Sequence, residues 1–182
     1  GGAVQWALTA AAALTFSTAV AFTQIGATHI FGNQKFYRHL PLVTADVEVL
    51  GREIPFFRDW FQHQCYDDYW RAINTEEQLH EIDVPAYQQA AWYDPYTASA
   101  FRMFDGLRTR GYSERARKNQ KIYCIPWTHH IPESSRLGDL DFGPQGYVDL
   151  KIEDLHWFDY WLKGMDTGVM SEPPIRLFVM GA

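Results

Sequence analysis

The chain has 182 residues, 47% of them hydrophobic and 16% aromatic, and a formal charge of −6. That is enough apolar chain for one buried core or a large piece of one, and it excludes a disordered protein. The single basic cluster, Arg108, Arg110, Arg115, Arg117, Lys118 and Lys121, has no aromatic motif beside it. It reads as a solvated helix and loop rather than a nucleic-acid surface, and no nucleic-acid partner is expected.

Residues 1–34 carry no Asp, Glu, Lys or Arg, and 3–22 are mostly apolar. A secretory signal needs a basic start, and a spanning helix favours longer side chains than alanine. Gln5, Thr9, Thr15, Ser17 and Thr18 interrupt the run. The stretch therefore reads as a buried helix over 2–13 and a buried strand over 14–22, with no membrane partner; a cytoplasmic location is expected, with secretion left open. A Gly-containing loop follows over 24–35.

Residues 36–80 change character. Pro41 and Pro55 break the chain, and aromatics crowd Phe56-Phe57-Arg58-Asp59-Trp60-Phe61 and Tyr66-Asp67-Asp68-Tyr69-Trp70. Short helices packing over a core are expected, with these aromatics mostly serving that packing. Strand–helix alternation then resumes. A strand is expected over 84–92, and a helix over 97–110 with Ala98, Phe101, Phe104 and Leu107 on one face. A short strand follows at 121–125. A second helix is expected over 151–163, ended by Gly164, with Ile152, Leu155, Phe158 and Leu162 spaced for burial. Pro173-Pro174 punctuates the chain, and 175–180 begins a new apolar strand. Nearly apolar strands alternating with helices imply a parallel sheet covered by helices, an α/β fold. Cys124 lies in an apolar run and reads as a buried small hydrophobe, while Cys65 has no metal-ligand spacing to it.

Asp94, after Trp92-Tyr93, and His129, after Pro126-Trp127-Thr128, each fall directly behind an expected strand. Parallel sheets collect functional groups at that end. A carboxylate followed by a histidine is the back half of the Ser…Asp…His order of α/β-hydrolases. Read singly, Asp94-Pro95 is also a helix start and His129 a loop-packing residue. His129, His130, Asp139 and Asp141 lack the spacing of metal ligands, so no metal or cofactor is expected. His130 reads as a surface neighbour of His129, and Trp6 and Trp127 as core.

Several segments in order resemble the CocE/NonD hydrolases, relatives of cocaine esterase and X-Pro dipeptidyl-peptidases. Gly2-Ala3-Val4-Gln5-Trp6 is similar to the stretch after that family's nucleophile. Leu40-Pro41-Leu42, Asp59-Trp60-Phe61-Gln62-His63 and Asp67-Asp68-Tyr69-Trp70 resemble its helical cap. Ile82-Asp83-Val84-Pro85 through Trp92-Tyr93-Asp94 resembles the acid strand, and Pro126-Trp127-Thr128-His129 the histidine segment. Asp141-Phe142-Gly143, the run from Trp157 to Gly164 and the run from Pro173 to Gly181 resemble its closing helix and the link beyond. The sequence departs from the pattern at Ala90 and Ala91, which replace glycines before the acid, at Ile125, another glycine position, and at Gln64, a proline position. A glycine lost beside a catalytic loop alters how closely backbones approach.

The resemblance implies a partial α/β-hydrolase fold with a helical cap insertion, ending at the start of a β-sandwich. The expected parts are core over 1–35, cap over 36–80, core with the acid and histidine over 81–170, and the beginning of the sandwich over 171–182. It implies a serine hydrolase cleaving esters or X-Pro peptides, with Asp94 as acid and His129 as base. The serine and oxyanion hole would lie upstream of residue 1, leaving the chain alone inactive. Tyr96 either lines an acyl pocket, as the matching family position does, or is a core or rim aromatic. The expected partner is a small ester or peptide, and the full-length protein is a possible homo-oligomer. The reading from another class is a non-catalytic remnant or interaction module with a hydrolase-like fold.

Overall fold

A computed structural model describes residues 38–130 and 132–181. The helix expected over 2–13, the strand expected over 14–22, Trp6 and the Gly2–Trp6 motif lie outside the described residues. The chain divides into two compact units between Ile73 and Asn74.

Over 45–73 of the first unit the prolines and aromatics set up three short helices, α1 (Ala45–Leu50), α2 (Pro55–Gln62) and α3 (Asp68–Ile73). Pro55 opens α2 at a position where its missing N–H costs nothing. Ala45, Ile54 and Phe57 form the buried centre. Asp46, buried with them, is fully satisfied. It accepts from the Val47 and Ile54 amides and from Arg58, and so ties α1 to α2. The aromatics do pack on one another, Phe56 on Trp60 at 5.4 Å and Trp60 on Trp70 at 6.0 Å between ring centres.

The second unit is built on a parallel sheet of β1 (Ala86–Ala91), β2 (Gln120–Ile125) and β5 (Ile175–Leu177), in the order β1-β2-β5. Helix α4 (Thr97–Arg110) makes the crossover from β1 to β2 and lies along both strands, followed by the short α5 (Glu114–Lys118). A small hairpin, β3 (Arg136–Leu137) and β4 (Leu140–Asp141), leads to α6 (Leu150–Lys163). Gly164 ends α6 in the left-handed conformation, as its position predicts. The α/β class read from the sequence holds.

Three expectations need correction. The apolar strand expected at 175–180 exists, but Ile175–Leu177 pairs in parallel with Ile122–Cys124. Over these residues the stretch expected to open a sandwich is part of the core sheet. Its register is held by the Ile122 amide donating to Pro174 O and the Phe178 amide donating to Cys124 O. Second, α6 exposes Ile152, Leu155, Phe158 and Leu162, and buries Trp157 with Glu153, Tyr160 and Trp161 partly covered beside it. Polar partners choose that face. Glu153 accepts from the Tyr87 hydroxyl and from Arg176, whose guanidinium lies 4.1 Å from the Tyr123 ring centre. Burial and the Glu153 carboxylate both hold the Tyr87 phenol protonated, far above its ordinary range. Third, Lys121 is not a solvated cation. It is buried, donates to Val169 O and pairs with Glu172 at 3.2 Å.

On α4, Phe104 and Leu107 are buried and Phe101 half-buried, whereas Ala98 is exposed. Cys124 is buried, Cys65 exposed, and both thiols are free. No helix among the described residues is long and apolar enough to cross a membrane.

Candidate active site

The site forms where β1 and β2 end side by side. Ala91 and Ile125 are paired in register, and the ladder continues past them. The Trp92 amide donates to Ile125 O and the Tyr93 amide to Trp127 O, both at 2.9 Å. Ala91, Ile125 and Trp127 pack together beneath these bonds. Two loops that leave adjacent strands are thus held against each other, one carrying Asp94 and the other His129. Ala90 and Ala91, in place of glycines, are buried within the sheet and leave this pairing intact.

Asp94 Oδ2 lies 2.9 Å from His129 Nδ1. Asp94 Oδ1 accepts from the Tyr96 amide at 2.7 Å, so each carboxylate oxygen has its own partner. The acid is mostly covered, with 14% of its side chain exposed, and the imidazole is open at 62%. An ionised carboxylate only accepts, so the proton of the shared bond sits on Nδ1 and the Nε2 lone pair is free to take one. The helix-start role considered for Asp94 is realised only as this turn: the N-cap of α4 is Tyr96, which makes no side-chain cap bond.

The Tyr96 ring lies 5.3 Å from the His129 ring, tilted by 60°. His130 is exposed and its ring is 6.3 Å from that of His129. Asp141 is not drawn in. It serves its own hairpin, where the Gly143 amide and Ser135 lower its pKa. Among the described residues no group of three or more His, Cys, Asp or Glu side chains could hold a metal ion.

Sequence reasoning missed the groups that steady the acid. Trp92 Nε1 donates to Phe178 O at 2.7 Å, tying the acid loop to the end of β5. Phe142 packs against both Tyr93 and Phe178. Thr97 donates its hydroxyl into the same loop. The Trp92-Tyr93-Asp94 motif flags the loop, but no pattern in it names these partners.

A parallel sheet with a carboxylate–imidazole pair at the carboxyl ends of adjacent strands is the arrangement of an α/β-hydrolase core. The model of the X-Pro dipeptidyl-peptidase (S15) family matches residues 1–130, and the chain belongs to that family. It is 29% identical over 141 residues to cocaine esterase of Rhodococcus sp. (strain MB1 Bresler), covering 75% of this chain and 23% of that protein. It is 27% identical over 118 residues to "Putative serine esterase Mb1866c" of Mycobacterium bovis, covering 62% of this chain and 16% of the relative. The chain thus spans less than a quarter of the length of these relatives.

Proposed function

We propose that this chain carries the acid and base of a serine hydrolase that cleaves ester or X-Pro peptide bonds. The observation that carries the reading is the 2.9 Å contact between Asp94 and His129 at the ends of paired strands, in a chain of the S15 family. His129 takes the proton of a serine hydroxyl on Nε2 as the oxygen attacks the acyl carbon. It then returns that proton to the leaving alcohol or amine. Asp94 fixes the ring tautomer and stabilises the imidazolium. Water repeats the cycle to release the acid. Tyr96, beside the His129 ring, lines the acyl side of the substrate. The likeness of Gly2–Trp6 to the stretch behind the family's nucleophile supports a serine encoded before Gly1.

The test is hydrolysis of p-nitrophenyl esters and X-Pro p-nitroanilides by the 182-residue chain and by the longer gene product. The longer product should turn over and be labelled by a fluorophosphonate, and should lose turnover with His129→Ala. Turnover by the 182-residue chain that vanishes with His129→Ala would overturn the upstream serine. A longer product whose turnover survives His129→Ala would overturn the assignment of the base.

A further inference from the structure

We propose that Thr97 is a positioning residue for the acid, a role that rests on the triad reading above. Asp94 is the pivot of two consecutive turns. Its amide donates to Ala91 O at 2.9 Å, and its carbonyl accepts from the Thr97 amide at a long 3.3 Å. The Thr97 hydroxyl spans both turns, within hydrogen-bond reach of Ala91 O and 2.8 Å from Asp94 O. Ala91 is the last residue of β1 and Thr97 the first of α4. The hydroxyl has one proton, so it is shared between the two carbonyls, Ala91 O at the end of the strand and Asp94 O in the acid loop, from the first residue of the helix.

A threonine at a helix start ordinarily turns its oxygen toward the free amides of the first turn, as an N-cap acceptor. Thr97 does the reverse. It stands one residue inside the helix and donates backward, so its bond serves the loop rather than the helix. Among the described residues the other anchors of Asp94 are the backbone amide of Tyr96, its own amide, and His129 itself. Among the described residues Thr97 is thus the one side chain, apart from His129, that is hydrogen-bonded to Asp94. Without its hydroxyl the Asp94 carbonyl loses its share of that proton and, among the described residues, keeps the 3.3 Å bond from the Thr97 amide. The acid can then shift relative to the imidazole, and catalytic geometry is sensitive to displacements of an ångström.

The experiment compares Thr97→Val, which keeps the shape and removes the donor, with Thr97→Ser, which keeps the donor. In the longer gene product Thr97→Val should lower kcat by about 10- to 100-fold with KM changed less than about twofold. Thr97→Ser should stay within about threefold of the parent. In the 182-residue chain, nitrogen NMR of the His129 ring should show Thr97→Val losing the hydrogen-bonded Nδ1–H form that Thr97→Ser retains. A Thr97→Val protein with parental kcat and ring signals would overturn the role. So would equal losses in both variants, which would assign the effect to packing. Asp94→Asn serves as the reference. If it is crippled while Thr97→Val is not, this inference fails and the triad reading stands. If Asp94→Asn is fully active, the triad reading itself fails.

Discussion

Asp94→Asn is a sharper test of the site than removal of the side chain, because the structure dictates how the amide must turn. Oδ1 of Asp94 faces the Tyr96 N–H at 2.7 Å, a donor that requires an oxygen opposite it. An asparagine therefore keeps its carbonyl on Tyr96 and presents its NH2 group to His129. Facing a donor, Nδ1 must accept, and the ring proton moves to Nε2. In the proposed mechanism the ring is then in the wrong tautomer to take a proton from a nucleophile. Backbone, packing and hydrogen-bond count are all preserved. Loss of the correct tautomer at such a pair costs roughly 10³- to 10⁴-fold in kcat, about 4 to 5.5 kcal/mol of transition-state stabilisation. The assay is steady-state ester hydrolysis by the longer gene product, read beside the thermal midpoint. The melting temperature should move little, since the side chain is the same size and every partner is kept. Nitrogen NMR of His129 in the 182-residue chain should show the proton transferred from Nδ1 to Nε2. A variant within tenfold of the parental kcat, or one whose ring keeps its proton on Nδ1, would refute the argument.

Two further outcomes follow from the packing. In α4, Gly106→Ala would ordinarily stabilise a helix by about 0.5 to 1 kcal/mol. Here the new Cβ would press well inside contact distance of Leu79 Cδ1, in a side chain too buried to swing away. Urea unfolding should show a net loss of about 1 to 2 kcal/mol, and the same substitution in a Leu79→Ala background should stabilise; loss in both backgrounds would contradict the steric account. The two cysteines should also part company. Burial pushes the Cys124 thiol up to about 11 from an ordinary value near 9, whereas Cys65 is exposed. Iodoacetamide at pH 8 should modify Cys65 in the folded chain and reach Cys124 only after urea is added, as mass spectrometry of the digests would show. Between pH 9 and 11 the unfolded chain gives up a proton that folded Cys124 keeps, so stability should fall as pH rises through that window.

What the sequence could reveal follows from which interactions are local. Helix α4 runs over the residues expected, 97–110, because its periodicity is written in nearby positions. Helix α6 was equally legible in extent but not in facing. Both of its sides carry apolar residues, and what selects one is Glu153, whose partners Tyr87 and Arg176 sit 66 and 23 residues away. The same partnerships explain β1, read as nearly apolar yet built with Tyr87, Gln88 and Gln89. Two of those polar side chains reach Glu153 and Asp154 of α6. Lys121 was misread for this reason too: its charge is local information, but Val169 O and Glu172 are not. The site divides along the same line. That Asp94 and His129 meet was legible because strand ends and chain order mark them. The Tyr96 amide, the Thr97 hydroxyl and the Trp92 tether were not, since each depends on the turn the backbone takes after β1. A sequence names the groups that do chemistry by their type. The groups that hold them still are mostly backbone atoms and small hydroxyls, whose meaning appears only when the turn is built.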